Sequence, residues 1–303
     1  MSDVLKVAVF GLGSMGFGVA ESLVRAGHLT YGFDPDAVQL DRFVSVGGMS
    51  ANAVEVAAEL SAVVVVVLNA EQTESVLFGD AEQPGIVPSL SAGAVIISCA
   101  TVPPEFAKKM AELCAAQKVH YLDAPISGGA VKARQGALSI MCSGSADTLN
   151  VARPILDATA EKVFVLGDSA GAGSAMKAVN QMLAGVHIAA MAEAITFGVT
   201  QGVDPETFVD VITQCAGSSW MLENRAPHVV SGDYTAHSAV NIWPKDLGIV
   251  LDVAKKAEFS APITSAALQQ FESAVELGLG LEDDAAVAKV YAKRAGVSLP
   301  GDG

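Results

Sequence analysis

The sequence predicts an α/β fold in which a doubly wound parallel sheet is followed by an all-α domain, the two being linked by a long helix. Short apolar runs alternate with helical stretches as far as residue 166, and strand signals nearly vanish from residue 171 onward. A glycine-rich turn directly follows the first apolar run. We therefore predict a sheet domain over residues 1–168 and a helical domain over residues 169–303.

Six short runs rich in β-branched residues are predicted to be strands. The unbroken run of valines at residues 63–67 is typical of a parallel strand that is covered on both faces. Helices are predicted between the strands, near residues 52–60, 104–117 and 147–158. The strand candidates are residues 4–10, 28–33, 62–68, 94–98, 119–123 and 162–166.

The second half of the chain carries Ala, Leu, Val and Met at helical spacing, with turn signals at residues 202–205, 217–219, 231–233 and 261–262. Its most apolar segment, residues 178–199, also contains two amides, a histidine and a glutamate. A buried helix between domains or in a dimer core explains this mixture better than a membrane span does.

Composition limits the classes of partner. The chain has 303 residues, 51% of them hydrophobic, which is enough for two domains with sizeable cores, and a net charge of −15 that argues against nucleic acid binding. Neither the cysteines nor the histidines show the spacing of a metal site, so we expect no metal. No secretory signal is visible, which predicts a cytoplasmic protein. The four widely spaced cysteines are expected to be reduced core thiols: Cys99, Cys114, Cys142 and Cys215.

The turn at residues 11–16 has the spacing of a Rossmann-type dinucleotide-binding site. Gly11 permits the tight turn, Gly13 lets the backbone approach the pyrophosphate, and Gly16 lets the helix pack closely on the strand. The phosphates would lie at the positive end of the helix. The predicted cofactor contacts of this turn are Gly11, Leu12, Gly13, Ser14, Met15 and Gly16.

Asp34 ends the second predicted strand, where a carboxylate can accept the ribose hydroxyls of adenosine and would repel a 2′-phosphate. This position favours NAD over NADP. A plain turn residue before Pro35 is the alternative interpretation of Asp34.

Lys177 follows a glycine turn at the start of the long apolar helix. Such a lysine either keeps its amine in water or is partly desolvated, with a pKa moved toward neutrality as a catalytic acid/base requires. The position of Lys177 alone leaves both interpretations open.

Four motifs, in order along almost the whole chain, resemble the signatures of the β-hydroxyacid dehydrogenases, the family of 3-hydroxyisobutyrate dehydrogenase. Any one motif is weak, but four in order are specific. They are the glycine turn at residues 11–16, Asp-Ala-Pro-Ile-Ser-Gly-Gly at 123–129, Gly-Ala-Gly-Ser-Ala-Met-Lys at 171–177, and the pair Lys245-Asp246.

Within that family, residues 183–190, 216–225, 228–234 and 282–284 resemble the L-threonate dehydrogenase branch. The resemblance implies NAD-dependent oxidation of a small sugar acid, such as L-threonate at its 2-hydroxyl, by a homodimer or homotetramer without nucleic acid or membrane partners. Reduction of tartronate semialdehyde and oxidation of 3-hydroxyisobutyrate are the alternative reactions. An inactive NAD-binding interaction module is the alternative of a different class, which loss of the lysine would favour.

The resemblance also implies roles for individual residues. Lys177 is implied to be the general acid/base that takes the hydroxyl proton as hydride leaves the substrate. Cofactor contacts are implied for Leu68, Asn69, Thr101 and Lys245. Substrate contacts are implied for Ser127, Gly128, Gly129, Asn180, Gln181 and Ser219.

Two departures from the family pattern bear on the substrate. Most of the family has asparagine four residues after the lysine, whereas this chain has Gln181 there and Asn180 one position earlier. The Pro-Gly-Phe that commonly precedes the Lys-Asp pair is also absent. The position of Trp220 fits either the domain core or the substrate end.

Overall fold

A computed structural model describes residues 4–80 and 83–301 of the chain, which forms two compact units, residues 1–177 and 178–303. Within the described residues the first unit contains all eight strands, and they form two sheets. The strands are β1 (Lys6–Phe10), β2 (Leu29–Phe33), β3 (Ala62–Val65), β4 (Val95–Ser98), β5 (His120–Asp123), β6 (Ile126–Ser127), β7 (Leu138–Cys142) and β8 (Ala160–Val165).

The larger sheet is parallel throughout, with the strand order β2-β1-β3-β4-β5. Strands β3 and β4 are buried at every position, which is why their sequences are continuously apolar. Strand β2 lies on one side of β1, and β3, the next strand along the chain, lies on the other side. This switch point opens a crevice beside the carboxyl ends of β1 and β3, where open α/β sheets bind ligands.

The smaller sheet contains β6, β7 and β8, with β6 antiparallel to β7 and β7 parallel to β8. Strands β6 and β7 were not predicted from the sequence, whose strand candidates include neither residues 126–127 nor residues 138–142. Strand β6 has only two residues, too few to show a period of two. Strand β7 begins two residues after Gly136, whose left-handed conformation ends a helix that was also not predicted.

Seven α-helices lie between the strands in the described part of the first unit. Three of them were not predicted, although side-chain oxygens of Asp36 and Asn69 cap two of these and mark their starts. The helices are α1 (Gly16–Arg25), α2 (Ala37–Ser45), α3 (Ala53–Val56), α4 (Ala70–Phe78), α5 (Pro104–Ala116), α6 (Gly129–Gln135) and α7 (Ala146–Thr159), of which α2, α4 and α6 are the unpredicted ones.

The long helix α8 (Ala172–Thr200) begins in the first unit and continues into the second. The described part of the second unit is otherwise built from shorter helices, which confirms the predicted all-α domain. The four predicted breaks lie at helix boundaries, whereas no break was predicted for the loop between residues 276 and 287. The remaining helices are α9 (Pro205–Ile212), α10 (Trp220–Ser231), α11 (Ile242–Lys256), α12 (Pro262–Glu276) and α13 (Val287–Ala295).

A buried charged group ties three segments of the second unit together. Asp284 accepts hydrogen bonds from Arg225 Nε at 2.5 Å and from Trp243 Nε1 at 2.9 Å, and the Trp243 ring stacks on Phe271. Burial raises the pKa of Asp284, and the neighbouring Arg225 guanidinium opposes that rise. The charges are therefore paired and hydrogen-bonded inside an apolar core.

Helix α8 is long and apolar enough to cross a membrane by length and composition alone, a test that the core helix of a globular protein also passes. It is less buried than we predicted, because 39% of its most apolar window is buried in this chain. Val179, Leu183 and Phe197 remain more than half exposed. The predicted burial would therefore need a partner surface.

The four cysteines are free thiols. Cys99, Cys114 and Cys142 are buried, and burial raises the pKa of the Cys114 thiol to about 12, so it stays protonated and unreactive. Our prediction of a core thiol is wrong for Cys215, which is exposed in the loop after α9.

Candidate active site

The glycine turn lies at the carboxyl end of β1 and requires glycine at two positions. Gly11 has a φ of +89°, and a Cβ there would come within 2.4 Å of Val66 O. A Cβ on Gly16 would come within 1.9 Å of Gly11 O. A Cβ on Gly13 would meet no atom within 4 Å, so packing within the chain does not demand glycine there. The close approach of a pyrophosphate would demand it.

Asp34 lies against this turn. Leu12 N donates to Asp34 Oδ2 at 2.6 Å, and Asp36 N donates to Asp34 Oδ1 at 2.9 Å. The carboxylate is half-buried at the end of β2, next to the strand that carries the glycine turn. The structure thus brings the predicted phosphate turn and the predicted ribose acceptor together. The bond from Asp36 N is also the contact that a plain turn residue, the alternative interpretation of Asp34, would make.

The other predicted cofactor residues of the first unit follow β3 and β4. Leu68 N donates to Gln72 Oε1 at 2.8 Å, and Asn69 Oδ1 caps α4 by accepting from Gln72 N at 2.8 Å. Thr101 is half-buried beyond the end of β4. Because the strands are parallel, these residues share one edge of the sheet with the glycine turn.

Asp123, at the end of β5, holds the start of α8. Its Oδ2 accepts from Gly171 N and Ser174 N, both at 2.9 Å, and from Ser143 Oγ at 3.1 Å, while its Oδ1 accepts from Ser174 Oγ at 2.7 Å. Only 1% of Asp123 is exposed. A carboxylate in this position satisfies free N–H groups of the helix and complements its positive end.

Lys177 lies in the second turn of α8 and is 8% exposed, so the alternative of a solvated amine is wrong. Its Nζ donates to Ile126 O at 2.9 Å, directly before the predicted substrate turn. Gly128 and Gly129 in that turn have φ values of +134° and +77°, which other residues rarely adopt. The structure therefore brings Lys177 next to Ser127, Gly128 and Gly129.

The predicted site residues of the second unit form a chain of polar contacts. Asn180 Nδ2 donates to Gln181 Oε1 at 2.9 Å, and Gln181 Nε2 donates to Asp246 Oδ2 at 2.5 Å. Lys245 Nζ forms an ion pair with Asp246 Oδ1 at 2.5 Å.

Ser219 is separate from this chain of contacts: its Oγ caps α10 by accepting from Leu222 N at 3.1 Å. Trp220 beside it is 57% exposed, so the interpretation of Trp220 as a core residue is wrong.

Two groupings were missed from the sequence because their members are distant along the chain. Asp123 and Ser174 each belonged to a recognised motif, but nothing joined them to each other or to Ser143. In the second unit, ligand atoms of His228, His237 and Asp283 lie within 4.8 Å of one another. These three residues offer imidazole and carboxylate groups that could hold a metal ion. The absence of a metal stays a prediction.

A Rossmann-type glycine turn with an acidic residue beyond the next strand, and a buried lysine beside a glycine-rich turn, define a dinucleotide-dependent oxidoreductase. Two family models match the chain. The NAD binding domain of 6-phosphogluconate dehydrogenase matches residues 6–167, and the NAD-binding domain of NADP-dependent 3-hydroxyisobutyrate dehydrogenase matches residues 171–291.

Individual proteins match over nearly their whole length. The L-threonate dehydrogenase of Cupriavidus necator is 47% identical over 98% of both chains, and that of Escherichia coli K12 is 44% identical over 97% of this chain and 96% of its own. A crystal structure of 3-hydroxyisobutyrate dehydrogenase from Salmonella typhimurium is 43% identical, with a TM-score of 0.89 over 94% of this chain and 99% of its own.

The chain belongs to the 3-hydroxyisobutyrate dehydrogenase-related family of β-hydroxyacid dehydrogenases. It is an NAD-dependent dehydrogenase that acts on the CH–OH group of a hydroxy acid. The predicted resemblance, fold class and cofactor are thereby confirmed. The roles of individual residues and the domain boundary at 168/169 stay predictions.

Proposed function

We propose that this enzyme oxidises L-threonate at its 2-hydroxyl to 2-oxo-L-threonate. The observation that carries the proposal is the 43–47% identity, over nearly the whole chain, to relatives named L-threonate dehydrogenase. The 3-hydroxyisobutyrate dehydrogenase of Pseudomonas aeruginosa is less similar, at 36% identity over 88% of this chain.

Lys177 is the proposed general acid/base. A neutral amine at Nζ takes the proton of the 2-hydroxyl while the hydrogen on carbon 2 departs as hydride, so carbon 2 becomes a carbonyl. NAD, when bound, supplies the hydride acceptor. The hydrogen bond from Nζ to Ile126 O supports this role, because it holds the amine beside residues 127–129 and limits its rotation. Burial of the lysine keeps bulk water away from the proton transfer.

The substrate carboxylate is proposed to bind at Ser127, Gly128 and Gly129. A hydroxyl and two small residues allow an anion to approach the backbone closely. A Cβ on Gly129 would meet no atom within 4 Å, so space is open above that residue. Asn180, Gln181 and Ser219 are proposed to contribute from the second unit.

The glycine turn and Asp34 fit the dinucleotide. The cradle at Gly11 and Gly16 has no room for a Cβ, whereas Gly13 is open toward the proposed pyrophosphate. Asp34 is proposed to accept hydrogen bonds from the ribose hydroxyls and to repel the 2′-phosphate of NADP. Leu68, Asn69, Thr101 and Lys245 are proposed as further cofactor contacts.

The chain is further proposed to act as a cytoplasmic homodimer or homotetramer in sugar-acid catabolism, with residues 1–168 binding NAD and residues 169–303 providing substrate and subunit contacts. The exposed apolar side chains Val179, Leu183 and Phe197 on α8 support self-association. Light scattering after gel filtration tests it: a monomer at micromolar concentration would contradict the proposal.

The substrate is tested by NADH formation with NAD across L-threonate, D-threonate, D-erythronate, L-serine, glycerate and 3-hydroxyisobutyrate. We expect the highest kcat/KM for L-threonate. Faster oxidation of 3-hydroxyisobutyrate would identify the enzyme as a 3-hydroxyisobutyrate dehydrogenase instead. No turnover across the panel despite NAD binding would contradict the proposed substrate and favour an inactive binding module.

A further inference from the structure

Asp246 forces one orientation on the neighbouring amide. The residue is 2% exposed, its Oδ1 is paired with the Lys245 ammonium, and its Oδ2 lies 2.5 Å from the Gln181 amide. A carboxylate with this cationic partner accepts hydrogen bonds and donates none. The NH₂ group of Gln181 must therefore face Asp246, and the usual ambiguity between the two ends of an amide is removed.

The same reasoning extends to the next amide. Because Gln181 turns its NH₂ group to Asp246, its Oε1 faces Asn180 and accepts from Asn180 Nδ2 at 2.9 Å. Asn180 thus donates one N–H to Gln181. Its own Oδ1 therefore faces away from Gln181, where it can accept a hydrogen bond. Asn180 is half-buried, whereas Gln181 is 7% exposed and engaged at both ends. Of the two amides, Asn180 is therefore the more open to a ligand.

An acceptor at Asn180 has a consequence for the substrate. The reacting 2-hydroxyl has one proton, and in the proposed function that proton goes to Lys177. It cannot also be donated to Asn180 Oδ1. A second hydroxyl of the substrate can donate to this acceptor, and L-threonate has one whereas 3-hydroxyisobutyrate lacks it.

We infer that Asp246 and Gln181 are positioning residues that turn the Asn180 carbonyl oxygen toward a second hydroxyl of the substrate, so that the enzyme selects polyhydroxy acids. The inference rests on the proposed function of Lys177, and it reassigns Gln181 from substrate contact to positioning. It also accounts for the departure from the family pattern, because the substrate-binding amide moves from the usual position to the one before it.

The test measures the ratio of the kcat/KM values for two substrates. We compare kcat/KM for L-threonate with kcat/KM for 2-hydroxybutanoate of the same configuration at carbon 2, which keeps the reacting hydroxyl and lacks the others. Loss of one hydrogen bond to a partly desolvated acceptor predicts a ratio of about tenfold to a hundredfold in the wild type. Most of the difference should be in KM, since the acceptor binds ground state and transition state alike.

Asp246→Asn is isosteric but can donate as well as accept, so it releases both amides from their orientation. We expect the ratio to fall about tenfold, because only L-threonate offers a second hydroxyl to Asn180. Asn180→Ala should lower the ratio similarly, and the double variant should lower it no further, because both changes act through one oxygen. Asp252→Asn, an exposed change on the same helix, is the matched control and should leave the ratio unchanged.

Two results would overturn the inference: an unchanged ratio in a folded Asp246→Asn enzyme, or a double variant whose effect is the product of the single ones. NAD affinity and the thermal midpoint are measured alongside, because a merely structural role would move those and not the ratio. If another polyhydroxy acid is oxidised in place of L-threonate, the proposed substrate fails, and the ratio for that acid and its deoxy analogue tests Asp246. A wild type that prefers monohydroxy acids contradicts both.

Discussion

Replacing Asp123 perturbs the start of the helix that carries Lys177. In Asp123→Asn the side chain keeps one oxygen, which can still face Gly171 N, Ser174 N and Ser143 Oγ, while its new NH₂ group can donate to Ser174 Oγ. What is lost is charge. Hydrogen bonds to a charged group contribute about 1 kcal/mol more than neutral ones, and three converge on that oxygen, so we expect a loss of about 3 kcal/mol.

Asp123→Ala should cost more, about 5 kcal/mol, because it leaves buried N–H groups at the start of α8 without an acceptor. The free energy of unfolding is measured by urea denaturation, with probes in each unit because the two units can unfold separately. Ser143→Ala removes a hydroxyl that donates to Asp123 and accepts from Gly173 N at 2.9 Å, and it should cost about 2 kcal/mol. An Asp123→Asn protein within 0.5 kcal/mol of wild type, about the size of an ordinary surface effect, would refute this reasoning.

Two further changes test the cofactor site and the core. Asp34→Ala should lower the affinity for NAD about tenfold to a hundredfold and the affinity for NADP by less, because only NAD offers both ribose hydroxyls. Titration calorimetry measures both affinities, with Asp36→Ala as the control. Equal losses of affinity for the two cofactors would contradict the assignment. Arg225→Leu leaves the buried Asp284 without its cationic partner and should lower the free energy of unfolding by about 3–5 kcal/mol at neutral pH. Burial already raises the pKa of Asp284, so protonation favours the folded state and this cost should shrink as the pH falls toward 4; a cost that grew in acid would contradict it.

The fold was predictable wherever a local signal was strong. The strands of the larger sheet are buried and apolar, and the glycine turn is dictated by contacts between neighbours such as Gly11 and Gly16. Helices α2, α4 and α6 were missed, although the N-cap residues Asp36 and Asn69 mark the starts of α2 and α4. Strand β6 could not be predicted, since two residues show no periodicity.

The candidate site was predictable where motifs are contiguous. The glycine turn, Asp34, and Lys177 with its neighbouring substrate turn each lie as the motifs indicated. The functions of Asp123 and Asp246 depend on partners far along the chain, Ser174 and Gln181 respectively, which no local pattern joins to them. The orientation of the Asn180 amide depends on two such contacts, so it required the structure.

The central claim is that Lys177 moves the proton of the substrate hydroxyl. Its most direct test is Lys177→Met, which keeps the side-chain length and removes the amine. We measure kcat/KM for L-threonate with NAD, and NAD affinity by titration. General acid/base catalysis contributes about 10² to 10⁴ in rate, so kcat/KM should fall by that factor while NAD affinity is unchanged. Wild-type turnover in the methionine variant would contradict the account.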